Sequence, residues 1–295
     1  YKEEISALSA IAEPEELFYE LNKEQSIFYN KVIHDYFGEE GLFTGAIYQP
    51  YLYESGANEE TELDAQENFA FQLQRNLFGF MRRLLVKRFE SSFAAFECSI
   101  RNFLRINQKA LDFIRKTDRY ILHRKLLNEL LEKDEAEILE ELIRFEAQFD
   151  EENYERSHKE EVYKIDQFAL KERFIKDIET DIKLFEKIEK EIHDLDLMKE
   201  DPKSNCLIHE LRQTLCSKPK LSEPKRKVIV FSEYVDTVNE LAPLIEAAFP
   251  NRVFTVSGQF GTSKEKEMLA NFDASLDESK QADDFDILLA SDKIS

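Results

Sequence analysis

The sequence predicts an α/β protein in which a parallel sheet near the C-terminal end is joined to a large, all-α helical insertion. Three observations predict this. Residues 227–236 (KVIVFSEYVD), 253–259 (VFTVSGQ) and 283–295 (DDFDILLASDKIS) are short apolar runs that end in small or polar residues. Helix-like segments separate these runs, which is the βαβ pattern of a parallel sheet buried on both faces. Upstream, Phe78, Met81, Leu85, Phe89, Phe93, Phe96, Ile100 and Phe103 recur at three- and four-residue steps, one long apolar helical face dense in aromatic rings.

Taken in order, residues 16–21 (ELFYEL) read as a short strand, and Asn22 can cap a helix running to Phe37 and stopping at Gly38. Residues 39–64 lack a clear period and read as a loop, with a short extended stretch at 47–53. The long apolar face follows, and the pattern continues helically through 111–131. Ile138, Leu142, Phe145 and Phe149 repeat the same spacing over 134–149. The acidic stretch 150–161 reads as a connecting turn. Residues 162–198 carry Phe168, Ile175, Ile178, Ile182, Phe185, Ile188 and Ile192 on one face, a helix or pair of helices. Adjacent helices joined by short loops bury their stripes on one another, so a helical hairpin or small bundle is expected.

Asp201-Pro202 interrupts that pattern. Leu207, Leu211 and Leu215 then share one face of a helix, and the Pro- and Lys-rich stretch 218–227 reads as a loop before the strand at 228–231. Helices at 236–249 and 263–272 are expected against the faces of a parallel sheet of at least three strands, with the strand at 228–231 inside it rather than at an edge. Three regions result: a strand–helix lead-in and loop (1–64), a helical insertion (65–200) and a partial α/β lobe (201–295).

Composition narrows the function classes. At 295 residues with 42% hydrophobic content the chain has ample core for one large or two ordinary domains. No run reaches the eighteen or so apolar residues of a membrane span, and no signal peptide is visible, so no membrane partner is expected. Cys98, Cys206 and Cys216 are odd in number and far apart, which points to a reducing, cytoplasmic setting rather than a disulfide scaffold. Neither these nor the five scattered histidines show metal-ligand spacing, and no metal site is expected. Tyr1 is not a natural start, so the chain reads as an excised piece.

The formal charge of −21 disfavours phosphate binding, but its distribution is uneven. Residues 71–130 carry thirteen basic and five acidic side chains, between 1–70 (three and sixteen) and 131–170 (five and fourteen). Arg82, Arg83, Lys87 and Arg88 fall within two helical turns, largely off the apolar stripe. Two readings stay open: a local polyanion-binding face, or a basic face paired with acidic helices around it.

No phosphate-cradling GxxxxGK[ST] loop, magnesium-holding Asp-Glu box or nucleophile arrangement is present, and no catalytic residue is expected. Strand-end residues remain. In open α/β sheets ligands bind beyond the carboxyl ends of the strands, and here those ends carry Ser232, Ser257 with Gly258, and Ser291 with Asp292 and Lys293. A hydroxyl beside a helix N-terminus suits a phosphate, and Gly258 allows close backbone approach. The alternative is that Ser232 and Asp292 cap helices and Gly258 turns the chain.

These segments resemble a known family. VIVFSEYVDT looks like motif IV of the second RecA-like lobe of superfamily-two helicases, especially the Swi/Snf-type translocases. VFTVSGQFGTSKEKEMLANF is similar to the segment after it, and FDILLASDKIS resembles the start of motif V. Upstream, LFYELNKEQSIFYNKVI resembles the strand and helix opening the second-lobe region, and MRRLLVKRFESSFAAF resembles a signature of bacterial helicases of this group, some of which carry a phospholipase-D-like nuclease domain. The resemblance covers residues 16–37, 73–104 and 199–295.

It implies a partial RecA-like lobe of an ATP-dependent DNA (or RNA) translocase, with Ser257, Gly258, Ser291 and Lys293 facing nucleic acid and Ser232 facing either the nucleic-acid backbone or the first lobe. Family motif V has Thr-Asp where this chain has Ser291-Asp292. Its hydroxyl contacts phosphate, while Asp292 and Ser295 would couple that contact to the nucleotide site. ATP and Mg²⁺ are implied for a full-length parent, together with a first RecA-like lobe of the same polypeptide. Motif V stops at Ser295, and motif VI with its arginine finger is not in this sequence, so the chain alone is expected not to turn over ATP. The competing reading is a non-catalytic helical interaction module attached to a small α/β domain.

Overall fold

The computed structural model describes residues 13–56, 65–123, 160–199, 201–217, 226–257, 261–273, 275–276 and 278–291. Helix α1 (Lys23–Asn30) starts at the expected cap. Asn22 accepts a hydrogen bond from the Gln25 amide while the Gln25 side chain accepts from the Asn22 amide, a reciprocal capping box. The helix runs on as a π-helical stretch, Lys31–Tyr36, and the chain turns at Gly38. A Cβ there would lie 2.3 Å from the His34 carbonyl oxygen, so only glycine fits.

Three expectations upstream of Ser92 are corrected. Residues 16–21 form no strand: 13–22 carries neither helix nor strand, and Leu17, Phe18 and Tyr19 are exposed because no strand edge pairs with them. The stretch expected to be extended at 47–53 is helical, a 3₁₀ turn (Ala46–Tyr48) followed by α2 (Pro50–Ser55). Pro50 presets the first helical φ, and Gly45 supplies the left-handed turn before the 3₁₀ segment (φ 57°). The buried Asp181 carboxylate accepts hydrogen bonds from the Thr44 amide (2.7 Å) and hydroxyl (2.8 Å). Third, the long apolar face belongs to two helices, α3 (Ala65–Ser91) and α4 (Phe93–Thr117), because Ser92 is extended and its hydroxyl caps the second, accepting from the Ala95 amide.

The insertion is not purely helical. Asp118 ends α4 in the left-handed conformation, and β1 (Arg119–His123) then pairs antiparallel with β2 (Glu160–Lys164), Tyr120 opposite Tyr163. Local spacing does not report a partner strand forty residues away. The expected helix at 134–149 and most of the acidic turn lie outside the described residues. Helix α5 (Lys171–Asp194) follows and lies along α4.

One core joins α1, α2, α3, α4, α5 and the β1–β2 pair. Phe28, Phe37, Phe43, Phe89, Phe96, Phe103, Phe174 and Phe185 are buried in it and meet mostly edge-on or tilted. The stripe read from the sequence is therefore core packing.

Helix α6 (Pro202–Cys216), with Asp201 as its cap, leads into the α/β part. Strands β3 (Val228–Ser232), β4 (Val253–Val256) and β5 (Ile287–Ser291) form a parallel sheet, with α7 (Val235–Ala248) and α8 (Thr262–Phe272) between them in sequence. The fold is the expected α/β class, mostly helical with a small parallel sheet. Leu211, Val238, Leu241 and Ile245 cover one face. Met268 and Phe272 cover Phe254, Val256, Leu288 and Ala290 on the other.

The order β3-β5-β4 corrects one further expectation. The strand at 228–231 was expected inside the sheet, yet among the described strands it is at the edge, because β5 inserts between the two earlier strands. Helix α8 lies over β4 and β5, which leaves Ile229 (48%) and Phe231 (60%) exposed on β3. No helix among the described residues is long and apolar enough to cross a membrane.

Candidate functional site

Register places the two strand-end serines side by side. Ser232 of β3 is opposite Ser291 of β5. Side chains alternate along a strand, so both lie on the sheet face that carries Val228, Val230, Ile287 and Leu289, under α6 and α7. Ser291 is completely buried, and its hydroxyl has no hydrogen-bond partner among the described residues. The half-buried Ser232 hydroxyl accepts from the Tyr234 amide at 3.4 Å. Ser232 is not the cap of α7; Tyr234 holds that position without a side-chain hydrogen bond. Ser257 follows β4 and is exposed; the parallel register, with Val256 opposite Ala290, brings it next to Ser291 on the neighbouring strand. Gly258, Asp292, Lys293 and Ser295 lie outside the described residues.

A cleft of about 540 Å³ opens at the carboxyl end of β3. Val230 to Tyr234 form one wall. The end of α3 contributes Lys87, Glu90 and Ser91, the α4 cap contributes Ser92, the start of α6 contributes Asp201, Lys203 and Ser204, and Leu17 and Tyr19 close one side. The cleft thus joins Lys87 and Ser232, two residues singled out separately in the sequence. Their neighbours hold it together. The Ser91 and Ser92 hydroxyls are each 3.0 Å from the Thr237 hydroxyl. Lys203 donates to the Glu90 and Ser91 carbonyls at 2.9 Å, neutralising the C-terminal end of α3. Asp201 turns inward to the amides of Lys203 and Ser204.

The basic block is only partly a surface. Arg88 is 2% exposed, donates to the Ala95 carbonyl (3.0 Å) and the Ser99 hydroxyl (2.7 Å), pairs with Asp236 and stacks 4.6 Å from the Tyr234 ring. It clamps the α3–α4 corner to α7, so its assignment to nucleic-acid binding is withdrawn: a guanidinium this buried does not reach a phosphate outside the core. Arg82 donates to the Gly38 carbonyl at 3.1 Å. Arg83 and Lys87 are exposed and share a helical face. On α4, Arg101 pairs with Glu97 and Glu189, and Arg115 with Glu179. For that half of the block, pairing with an acidic helix is what the structure contains.

Beside the Arg88 clamp, Glu240 of α7 reaches the N-terminus of α4, where the Ala94 amide and the Ser92 hydroxyl bond to it. One of its oxygens is buried without a partner, and burial together with nearby Asp201 and Glu97 pushes its carboxyl up to about 7. The described residues hold no group of three or more His, Cys, Asp or Glu side chains able to bind a metal ion.

Several cleft residues were not legible in the sequence. Ser91 and Ser92 precede Lys203 and Thr237 by more than a hundred residues, and only packing of α3 against α6 and α7 brings them together. Comparison with known proteins finds no matching family model, no matching curated protein and no matching solved structure.

Proposed function

We propose that this chain is part of the second motor lobe of an ATP-dependent nucleic-acid translocase, most simply one acting on DNA, and that the cleft beyond β3 is where it meets the nucleic-acid backbone. One observation carries the reading: Lys87, Ser232 and the Ser91–Ser92–Thr237 hydroxyl cluster meet in one cleft at the carboxyl end of a parallel strand, the position where α/β sheets hold ligands. The ordered resemblance to motifs IV and V supports the same reading. The resemblance puts Ser291 where the family has a phosphate-contacting hydroxyl, but Ser291 is fully buried and, like Arg88, is not on the surface that would meet the backbone.

The described residues do not fit a nucleotide or magnesium site. They contain no cluster of candidate metal ligands and no Gly-rich phosphate loop, so no hydrolytic step is assigned to them. ATP and Mg²⁺ would belong to a first RecA-like lobe facing this one. The chain by itself is expected to bind DNA weakly and not to turn over ATP.

Fluorescence anisotropy at about 20 mM salt tests the reading. Wild type should bind a labelled oligonucleotide, and Arg83→Ala with Lys87→Ala should weaken binding and flatten its salt dependence by about one to two units of log–log slope, since each phosphate contact contributes about −0.7 to −0.9. Arg88 is left out of this variant because it is structural. Absence of wild-type binding at that salt would move the second reading ahead, an interaction module. Exposed Ile229 and Phe231 and the internally paired arginines of α4 favour that alternative.

A further inference from the structure

We infer that the cleft takes single-stranded rather than duplex nucleic acid, with unstacked bases lying on Phe231 and Tyr19; this rests on the nucleic-acid reading above and names its substrate class. Phe231 is 60% exposed and Tyr19 41% exposed, and both line the cleft that contains Lys87 and Ser232.

Each ring is presented by its backbone. Phe231 points away from the face carrying Val230 and Ser232, at the edge of the sheet where α8 does not reach. Its ring therefore stands at the rim, while the Ser232 hydroxyl lies on the opposite side of the same strand. Tyr19 sits in a segment that is neither helix nor strand and that Cys206 of α6 contacts through its thiol at the Phe18 carbonyl (3.8 Å). Leu17, 55% exposed, continues that rim.

Electrostatics choose between strand states. Duplex DNA presents phosphates and hides its bases, so a duplex site depends on cations. This cleft offers few. Lys203 is committed to two carbonyls, and Glu90, Asp201 and Glu233 lie among the lining residues of a chain whose net charge is −21. A single strand has lower charge density and exposes base faces, so ring stacking can carry affinity that charge here cannot. The acidic lining is also partly occupied, Asp201 by the α6 amides and Glu90 by a hydrogen bond with Tyr29.

The chain has no tryptophan, so Phe231→Trp installs a single fluorescent reporter at the rim. Titration of this variant with oligo-dT and with oligo-U should quench its emission, and a hairpin duplex of equal length should bind at least tenfold more weakly. The two oligonucleotides distinguish DNA from RNA, with the same base-stacking chemistry in both. In anisotropy, Phe231→Ala with Tyr19→Ala should weaken single-strand binding by on the order of tenfold or more while leaving the thermal melt unchanged, since both rings are substantially exposed. Duplex binding as tight as single-strand binding, or no loss in the double variant, would overturn the stacking inference. If Arg83→Ala with Lys87→Ala still weakened binding in that case, the nucleic-acid reading would survive alone. No binding of any oligonucleotide by wild type would overturn both.

Discussion

Arg88 shows how a single side chain can be mistaken when its surroundings are not known. Off an apolar stripe and next to Lys87, it has the address of a surface cation, yet its guanidinium is enclosed by the Ala95 carbonyl, the Ser99 hydroxyl, Asp236 and the Tyr234 ring. Losing one partner of a buried pair leaves uncompensated polar groups behind. Arg88→Ala is therefore expected to cost about 3–5 kcal/mol in urea denaturation, whereas Arg83→Ala, at an exposed position, should fall within about 0.5 kcal/mol of wild type. Glu240 makes a second prediction at this scale. Its carboxyl is raised from 4.5 to about 7 in the folded chain, so between those values the folded state holds a proton that the unfolded state has released. The corresponding stability is fully present below about pH 4.5 and is lost as pH rises toward 7. Asp181, buried and also raised to about 7, adds a fall of the same sign from about pH 3.8. Urea midpoints at several pH values between 5 and 8 should show Glu240→Gln falling less steeply than wild type. Equal slopes would mean Glu240 is not held in the raised state.

At the scale of elements, the α3–α4 corner decides how the helical part and the sheet meet. The sequence period runs through it uninterrupted, because Phe89, Phe93 and Phe96 keep their spacing across Ser92. The chain breaks there because the Ser92 hydroxyl caps α4, and the Thr237 hydroxyl and Glu240 of α7 close onto the same corner. Phe89 packs in this region against Phe28, Tyr29, Phe93 and Phe96, with ring centroids 4.9–5.8 Å away. Phe89→Ala should cost on the order of 3–5 kcal/mol in denaturant titration. A loss below about 1 kcal/mol would show that these rings do not share a closed core. Ser92→Ala removes the cap and should cost about 1 kcal/mol. The β1–β2 pair makes the complementary point: five residues after α4 leave the helical pattern only because β2 lies beside them.

Over the whole molecule, 61 acidic against 40 basic side chains repel one another at neutral pH, even with α4 and α5 pairing opposite charges. Screening should relieve that repulsion more than it weakens the exposed pairs, which contribute little each. The melting temperature is therefore expected to rise between about 20 and 200 mM NaCl. A fall would mean that the ion pairs along α4 and α5 dominate the electrostatics. On the proposed reading, the same field restricts polyanion binding to the cleft whose walls combine Lys87, hydroxyls and exposed rings.

Much of the architecture was legible beforehand: the parallel strands, the helices between them, the Asn22 cap, and the apolar faces of α3, α4 and α5. These follow from side-chain period and from capping chemistry, which act between residues a few positions apart. Of the candidate site, the strand-end serines and Lys87 could be named, but not their meeting. Strand order, the burial of Arg88, the exposure of Phe231 and the pairing of β1 with β2 depend on which segment packs beside which. That choice belongs to contacts far apart in sequence. The insertion of β5 between β3 and β4 is the clearest case, because it leaves β3 at the edge and so opens the cleft that the strand-end residues alone did not reveal.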